Sequence, residues 1–89
     1  MRQIGPKRDV RELLSDLVDQ LREHGVEVLD GRAYRSVGLL IMPGGLPIWC
    51  YGWLLRWKVE GEEVTWPAAD AYGAARRLAE LVHERPAGP

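Results

Sequence analysis

The sequence predicts an α+β fold: an antiparallel three- to four-stranded meander with an N-terminal and a C-terminal helix packed on one face, in the order α-β-β-β-(β)-α. Two observations carry this. Apolar residues recur at helical spacing near both ends of the chain. The stretch between them is strand-like and is punctuated by Gly- and Pro-rich turn signals. For that order, a meander with both helices on the same side is the simplest packing. At 89 residues the chain makes one domain, expected over 9–85, with a loose lead at 1–8 and a frayed tail at 86–89.

The first helix is the clearest element. In VRELLSDLVDQLREHG, Val10, Leu13, Leu14, Leu17, Val18 and Leu21 mark one face. Asp9 stands in N-cap position with Glu12 three residues on, and Gly25 supplies the stop. The outer face is acidic, with Glu12, Asp16, Asp19 and Glu23.

VEVLD (26–30) reads as a short strand, followed by a turn at Asp30-Gly31. YRSVGLLIM (34–42) reads as the next strand, and Pro43-Gly44-Gly45 ends it with a hairpin turn.

Residues 48–58 hold three of the four tryptophans, Trp49, Trp53 and Trp57, four apart. A helix here would have to absorb Gly52 and would have no polar side. A strand sorts the residues better: Trp49, Tyr51, Trp53, Leu55 and Trp57 on one face, Ile48, Cys50, Gly52, Leu54, Arg56 and Lys58 on the other. The segment is therefore expected to be the longest strand. Glu60-Gly61 is a tight turn into a return strand ending at Trp66, ahead of Pro67. Asp70 can cap the second helix, AYGAARRLAELVHER (71–85), whose apolar face is rich in alanine. Gly73 costs this helix roughly 1 kcal/mol relative to alanine.

An alanine face leaves room for large partners, so the aromatic row is expected to face the helices. The far side of the sheet would then show Ile48, Cys50 and Leu54. Beside them would lie either Val37-Leu39-Ile41 or Gly38-Leu40-Met42. An apolar patch of this kind on a monomer calls for a cover. The sequence therefore points to a small non-enzymatic protein-interaction module, an adaptor, inhibitor or regulatory subunit, that self-associates as a homodimer or binds a protein partner through that face. The expected contact residues are Leu39, Leu40, Ile48, Cys50, Leu54 and Arg56.

Composition restricts the alternatives. A net charge of −1 gives no global attraction to nucleic acid or an anionic membrane. No apolar run is long enough to span a bilayer, and the N-terminus carries no secretory pattern. With one thiol, Cys50, no internal disulfide is possible, and a reducing cytoplasm is expected. Ten arginines against two lysines is a bias associated with GC-rich bacterial or phage genomes. No cofactor or metal is expected. His24 and His83 each end a helix, where contact with the last carbonyls accounts for them. Cys50, among apolar neighbours, reads as a structural thiol, and no nucleophile–base pair or paired acids can be located. The Pro43-Gly44-Gly45 loop lacks the following helix that a phosphate loop needs. Glu60, Glu62 and Glu63 read as a solvated turn. Arg76 and Arg77 are matched by Glu80 and Glu84 on the same helix.

The element order over 9–85 is similar to that of double-stranded-RNA-binding domains. That resemblance implies recognition of RNA by shape and phosphate contacts. The family's basic signature falls at the start of its second helix, where this chain has PAADAYGAARRLA, with Arg76 and Arg77 late. A nucleic-acid reading would use Arg35, Arg56, Lys58 and the strand aromatics as a stacking platform. The order also resembles that of small toxin and antitoxin proteins, some of which use a catalytic histidine in the sheet. No predicted strand here contains a histidine.

Overall fold

The computed structural model describes residues 8–84. Within them the order is α1 (Val10–Glu23), β1 (Asp30–Tyr34), β2 (Val37–Ile41), β3 (Pro47–Cys50), β4 (Leu54–Val59), β5 (Glu62–Pro67) and α2 (Ala71–Glu84). The strands form one antiparallel sheet in sequence order, β1-β2-β3-β4-β5. The expected α+β meander is therefore present, with five strands rather than three or four. Of the expected lead and tail, residues 1–7 and 86–89 lie outside the described residues, as does Arg85 of the second helix. Arg8 is held: its N–H donates to the Gly52 carbonyl at 2.8 Å, and its guanidinium pairs with Asp16.

Both helices follow their sequence signals. The Asp9 carboxylate accepts from the amides of Arg11 and Glu12 at the start of α1. At α2, Asp70 Oδ1 accepts from Gly73 N–H at 3.1 Å, while its Oδ2 accepts from Trp66 Nε1 at 3.0 Å. The Asp70 carboxylate lies directly over Gly73, where a Cβ would overlap it. This close approach explains a glycine that helix propensity alone disfavours.

Three strand expectations are corrected. Residues 26–29 are not in a strand; Val26 is buried in the connection out of α1, and the ladder begins where Leu29 N–H donates to Ile41. Asp30-Gly31 lies inside β1 rather than turning, because the Asp30 carboxylate is engaged locally by Gly31 N–H and Arg32 Nε. The reversal comes instead at Arg35-Ser36, between the register partners Tyr34 and Val37, with Arg35 at φ 56°.

The third correction is the largest. Residues 48–58 are not one strand. The chain reverses at Tyr51-Gly52-Trp53, where Trp53 N–H donates to Tyr51 O at 2.6 Å across Gly52 at φ 76°. This is a γ-turn of the rare positive-φ kind, which glycine tolerates. Cys50 then pairs with Leu55, so alternation does not run through from 48 to 58. Further along, Glu60 and Gly61, at φ 52° and 85°, make the expected tight turn between β4 and β5.

The core lies between the sheet and both helices. From the sheet it takes Leu40, Met42, Ile48, Cys50, Leu55 and Trp57. From α1 come Val10, Leu13, Leu14, Leu17 and Leu21, and from α2 Ala71, Ala74, Ala75, Leu78 and Ala79. Trp57 is buried in the same core as the α2 alanines and stacks on Trp66 at 6.1 Å between ring centroids. The expected inward aromatic row, however, reduces to Leu55 and Trp57, because the turn at Gly52 places Trp49 on the opposite face.

Candidate interaction surface

Strand register defines the face away from the helices. One row runs across all five strands: Arg32, Leu39, Trp49, Arg56 and Thr65, each the register partner of the next. A second row contains Asp30, Ile41 and Pro47 on one side and the pair Lys58–Glu63 on the other. Tyr34 with Val37 and Leu54 with Pro67 complete the other end.

No described element lies over this face. Val37, Leu39, Ile41, Tyr51, Leu54 and Arg56 stay half-buried, against complete burial for Leu40, Ile48 and Cys50 on the reverse side. Trp49 is 38% exposed.

The six sequence-predicted contact residues therefore divide. Leu39, Leu54 and Arg56 lie on the open face. Leu40, Ile48 and Cys50 do not; they are fully buried beneath the helices, because the reversal at Gly52 puts Ile48 and Cys50 on the same side as Leu55 and Trp57. Of the two candidate sets from the second strand, Val37-Leu39-Ile41 is the outward one. Sequence reasoning missed Trp49 and Tyr51 as surface residues. Gly52, placed between two aromatics, was the available signal for a turn there.

Arg56 organises the centre of the face. Its guanidinium donates to Tyr51 Oη at 3.0 Å, lies 5.3 Å from the centroid of the Tyr51 ring, and pairs with Glu63 at 3.4 Å. Stacking and ion pairing together hold an arginine flat against a surface. Trp49, Tyr51, Arg56, Lys58 and Glu63 line a shallow trough on this face. Arg35 and Tyr34 form a similar stacked pair at the β1–β2 tip, also 5.3 Å apart.

Both histidines and Arg77 are structurally engaged. His24 Nδ1 donates to the Gln20 carbonyl at 2.8 Å, and His83 Nε2 to the His24 carbonyl at 3.1 Å, so both imidazoles meet backbone carbonyls. Arg77 pairs with Glu80. Burial pushes the Cys50 thiol up to about 12, which keeps it protonated and unreactive at neutral pH. Among the described residues, no group of three His, Cys, Asp or Glu side chains converges to hold a metal, and no helix is long and apolar enough to cross a membrane.

No family model, curated protein or solved structure matches the chain.

Proposed function

We propose that this domain is a non-enzymatic protein-interaction module and that the open face of its sheet is the contact surface. One observation carries the reading: a five-stranded sheet has both helices on one side, while the other side keeps an apolar centre of Val37, Leu39, Ile41, Trp49 and Leu54. Charged residues of both signs, Asp30, Arg32, Lys58 and Glu63, flank it. An apolar centre with a polar rim, supplied with Trp, Tyr and Arg, is the usual anatomy of a protein interface.

The test compares the wild-type protein with Leu39→Glu and Leu54→Arg variants. Each protein is purified from its native host and scored for any stably bound protein, further copies of itself included. Both variants should fold, with unchanged far-ultraviolet circular dichroism, and should lose what the wild type retains. Undiminished binding by both folded variants would refute the reading.

A second reading, nucleic-acid binding, is favoured by the placement of Arg56 and Lys58 on the same face as Trp49 and Tyr51. It requires oligonucleotide affinity that falls steeply with salt. Arg56 is already paired with Glu63, which lowers the charge that face can offer to phosphate.

A further inference from the structure

We propose that the open face receives an extended, proline-rich segment of a partner protein, seated against Trp49 and Tyr51 in the trough. This rests on the interaction-module reading and deepens it.

The area of the face favours a peptide over a globular partner. Five strands of four to six residues, about 4.8 Å apart and rising about 3.3 Å per residue, give a flat footprint of roughly 400 Å². That is about half of the roughly 800 Å² that each partner gives to a standard interface. A polyproline II segment is ordered before it binds, so a smaller contact can hold it.

The trough has a cause in the sequence. β3 and β4 pair at Trp49–Arg56 and Cys50–Leu55. Continued by two positions, the same register would set Pro47 against Lys58, and proline has no N–H to extend the ladder. The trough opens there, lined by Pro47, Trp49, Tyr51, Arg56, Lys58 and Glu63. Pro47, Trp49 and Tyr51 alternate onto one face, so three rings stand in a row about 13 Å long. The two prolines of a Pro-x-x-Pro segment are about 9 Å apart in polyproline II geometry, within that length. Grooves lined by aromatic rings are the general receptor for such segments.

The polar groups fit the same occupant. The side chains of Trp49, Arg56 and Lys58 are donors only. Tyr51 Oη accepts from Arg56 and keeps its own proton to donate. Glu63, the carboxylate of the trough, is engaged by Arg56. A proline-rich chain presents carbonyl acceptors with few N–H groups, which complements this lining. Lys58 enters no ion pair among the described residues, so the charge that matches it is a carboxylate beside the prolines.

The test titrates the full chain with three capped peptides, followed by amide and indole shifts in nitrogen–proton correlation spectra. One is a proline run with a central glutamate, one has glutamine in its place, and one has serine for every proline. The first should give saturable shifts centred on Trp49 and Lys58. Trp49→Ala, with unchanged circular dichroism, should weaken it at least about tenfold, as loss of a ring anchor does. Lys58→Gln should weaken the glutamate peptide about threefold and leave the glutamine peptide nearly unchanged, as expected for one exposed ion pair. Should Trp49→Ala fail to fold, Tyr51→Leu takes its place.

Equal binding of the serine peptide, or shifts centred elsewhere on the molecule, would overturn the proposal. So would a dimer that Trp49→Ala breaks and the proline peptide does not displace, since the occupant would then be a second copy. Absence of binding by either proline peptide at millimolar concentration overturns this inference alone; the interaction-module reading is then decided by what the Leu39→Glu and Leu54→Arg variants lose from the native host.

Discussion

Leu39 and Leu40 are neighbours of the same type on opposite faces of β2, and only the alanine substitution of Leu39 should have a cost that depends on partner concentration. Leu40 is fully buried and pairs in register with Gly31 and Ile48. Truncation there removes three carbon atoms from the core, about 2–2.5 kcal/mol of transfer free energy. The cavity left behind adds to this, for a total of about 3–4 kcal/mol. A domain this small has a stability of about 4–12 kcal/mol, so Leu40→Ala should take about a quarter of it or more and lower the melting temperature by about 10 °C or more. Leu39 is half-exposed, and its truncation leaves no enclosed cavity. In the isolated chain it should cost about 1 kcal/mol or less. At concentrations where the open face is covered, the cost should grow, since a partner that binds only the native state adds stability by mass action. Urea unfolding followed by tryptophan fluorescence, with and without the glutamate-bearing proline peptide, reads both effects. Equal destabilisation of the two variants at sub-micromolar concentration would show that Leu39 is core, and the assignment of faces would fail.

Gly73→Ala should destabilise α2 despite alanine's higher helix propensity, because the new Cβ displaces the Asp70 cap. In the Asp70→Ala background the same change should stabilise by up to about 1 kcal/mol, which a double-mutant cycle in urea would show. The Cys50 thiol is raised from 9.0 to about 12, so the native state holds its proton more tightly than the unfolded chain. Its contribution is fully present below pH 9 and is lost as the pH rises towards 12; a pH series should therefore show wild-type stability falling faster than that of Cys50→Ala across that window, by up to about 1.4 kcal/mol per pH unit. Glu60→Asn should stabilise the β4–β5 turn by about 0.5–1 kcal/mol, since Glu60 stands at φ 52° where asparagine is better tolerated; thermal denaturation at fixed pH reads the shift.

The helices were legible because their signals are local and redundant. Asp9, Gly25 and Asp70 mark ends that the apolar period had already placed. The sheet was legible as an architecture but not in its turns. Asp30-Gly31 has turn chemistry but sits in a strand, while Arg35-Ser36 turns with a non-glycine residue at positive φ, which no composition rule announces. The error at Gly52 spread further. In LLRWKV the charges at Arg56 and Lys58 correctly assign Leu55 and Trp57 to the core. Carrying the same alternation backwards through an unrecognised reversal inverts Ile48, Cys50 and Trp49 together, because strand faces are defined only within one uninterrupted run. Two of the six expected contact residues, Ile48 and Cys50, follow that inversion into the core; Leu40 is buried because the outward set of β2 is Val37-Leu39-Ile41. Leu54 and Arg56 lie beyond the turn, so their outward assignment holds, and Leu39 belongs to one of the two sets that the sequence allows on the outward side of its strand.

The three tryptophans spaced by four thus do three different things. Trp57 is buried in the core and stacks on Trp66, whose indole N–H engages the residue that caps α2. This ties the centre of the sheet to the start of a helix, a role that packing and capping explain. Trp53 closes the turn that reverses the chain. Trp49 does neither: the core is complete without it, and its ring remains 38% exposed beside a stacked Tyr51–Arg56 pair. Folding gains little from a large half-exposed ring, and solubility is reduced by it. The same ring gives most as a desolvated anchor at the centre of an interface. Trp49 stands on β3, the middle strand of five, in the row that joins Leu39 to Arg56, which is where a partner covering the open face would meet its largest side chain.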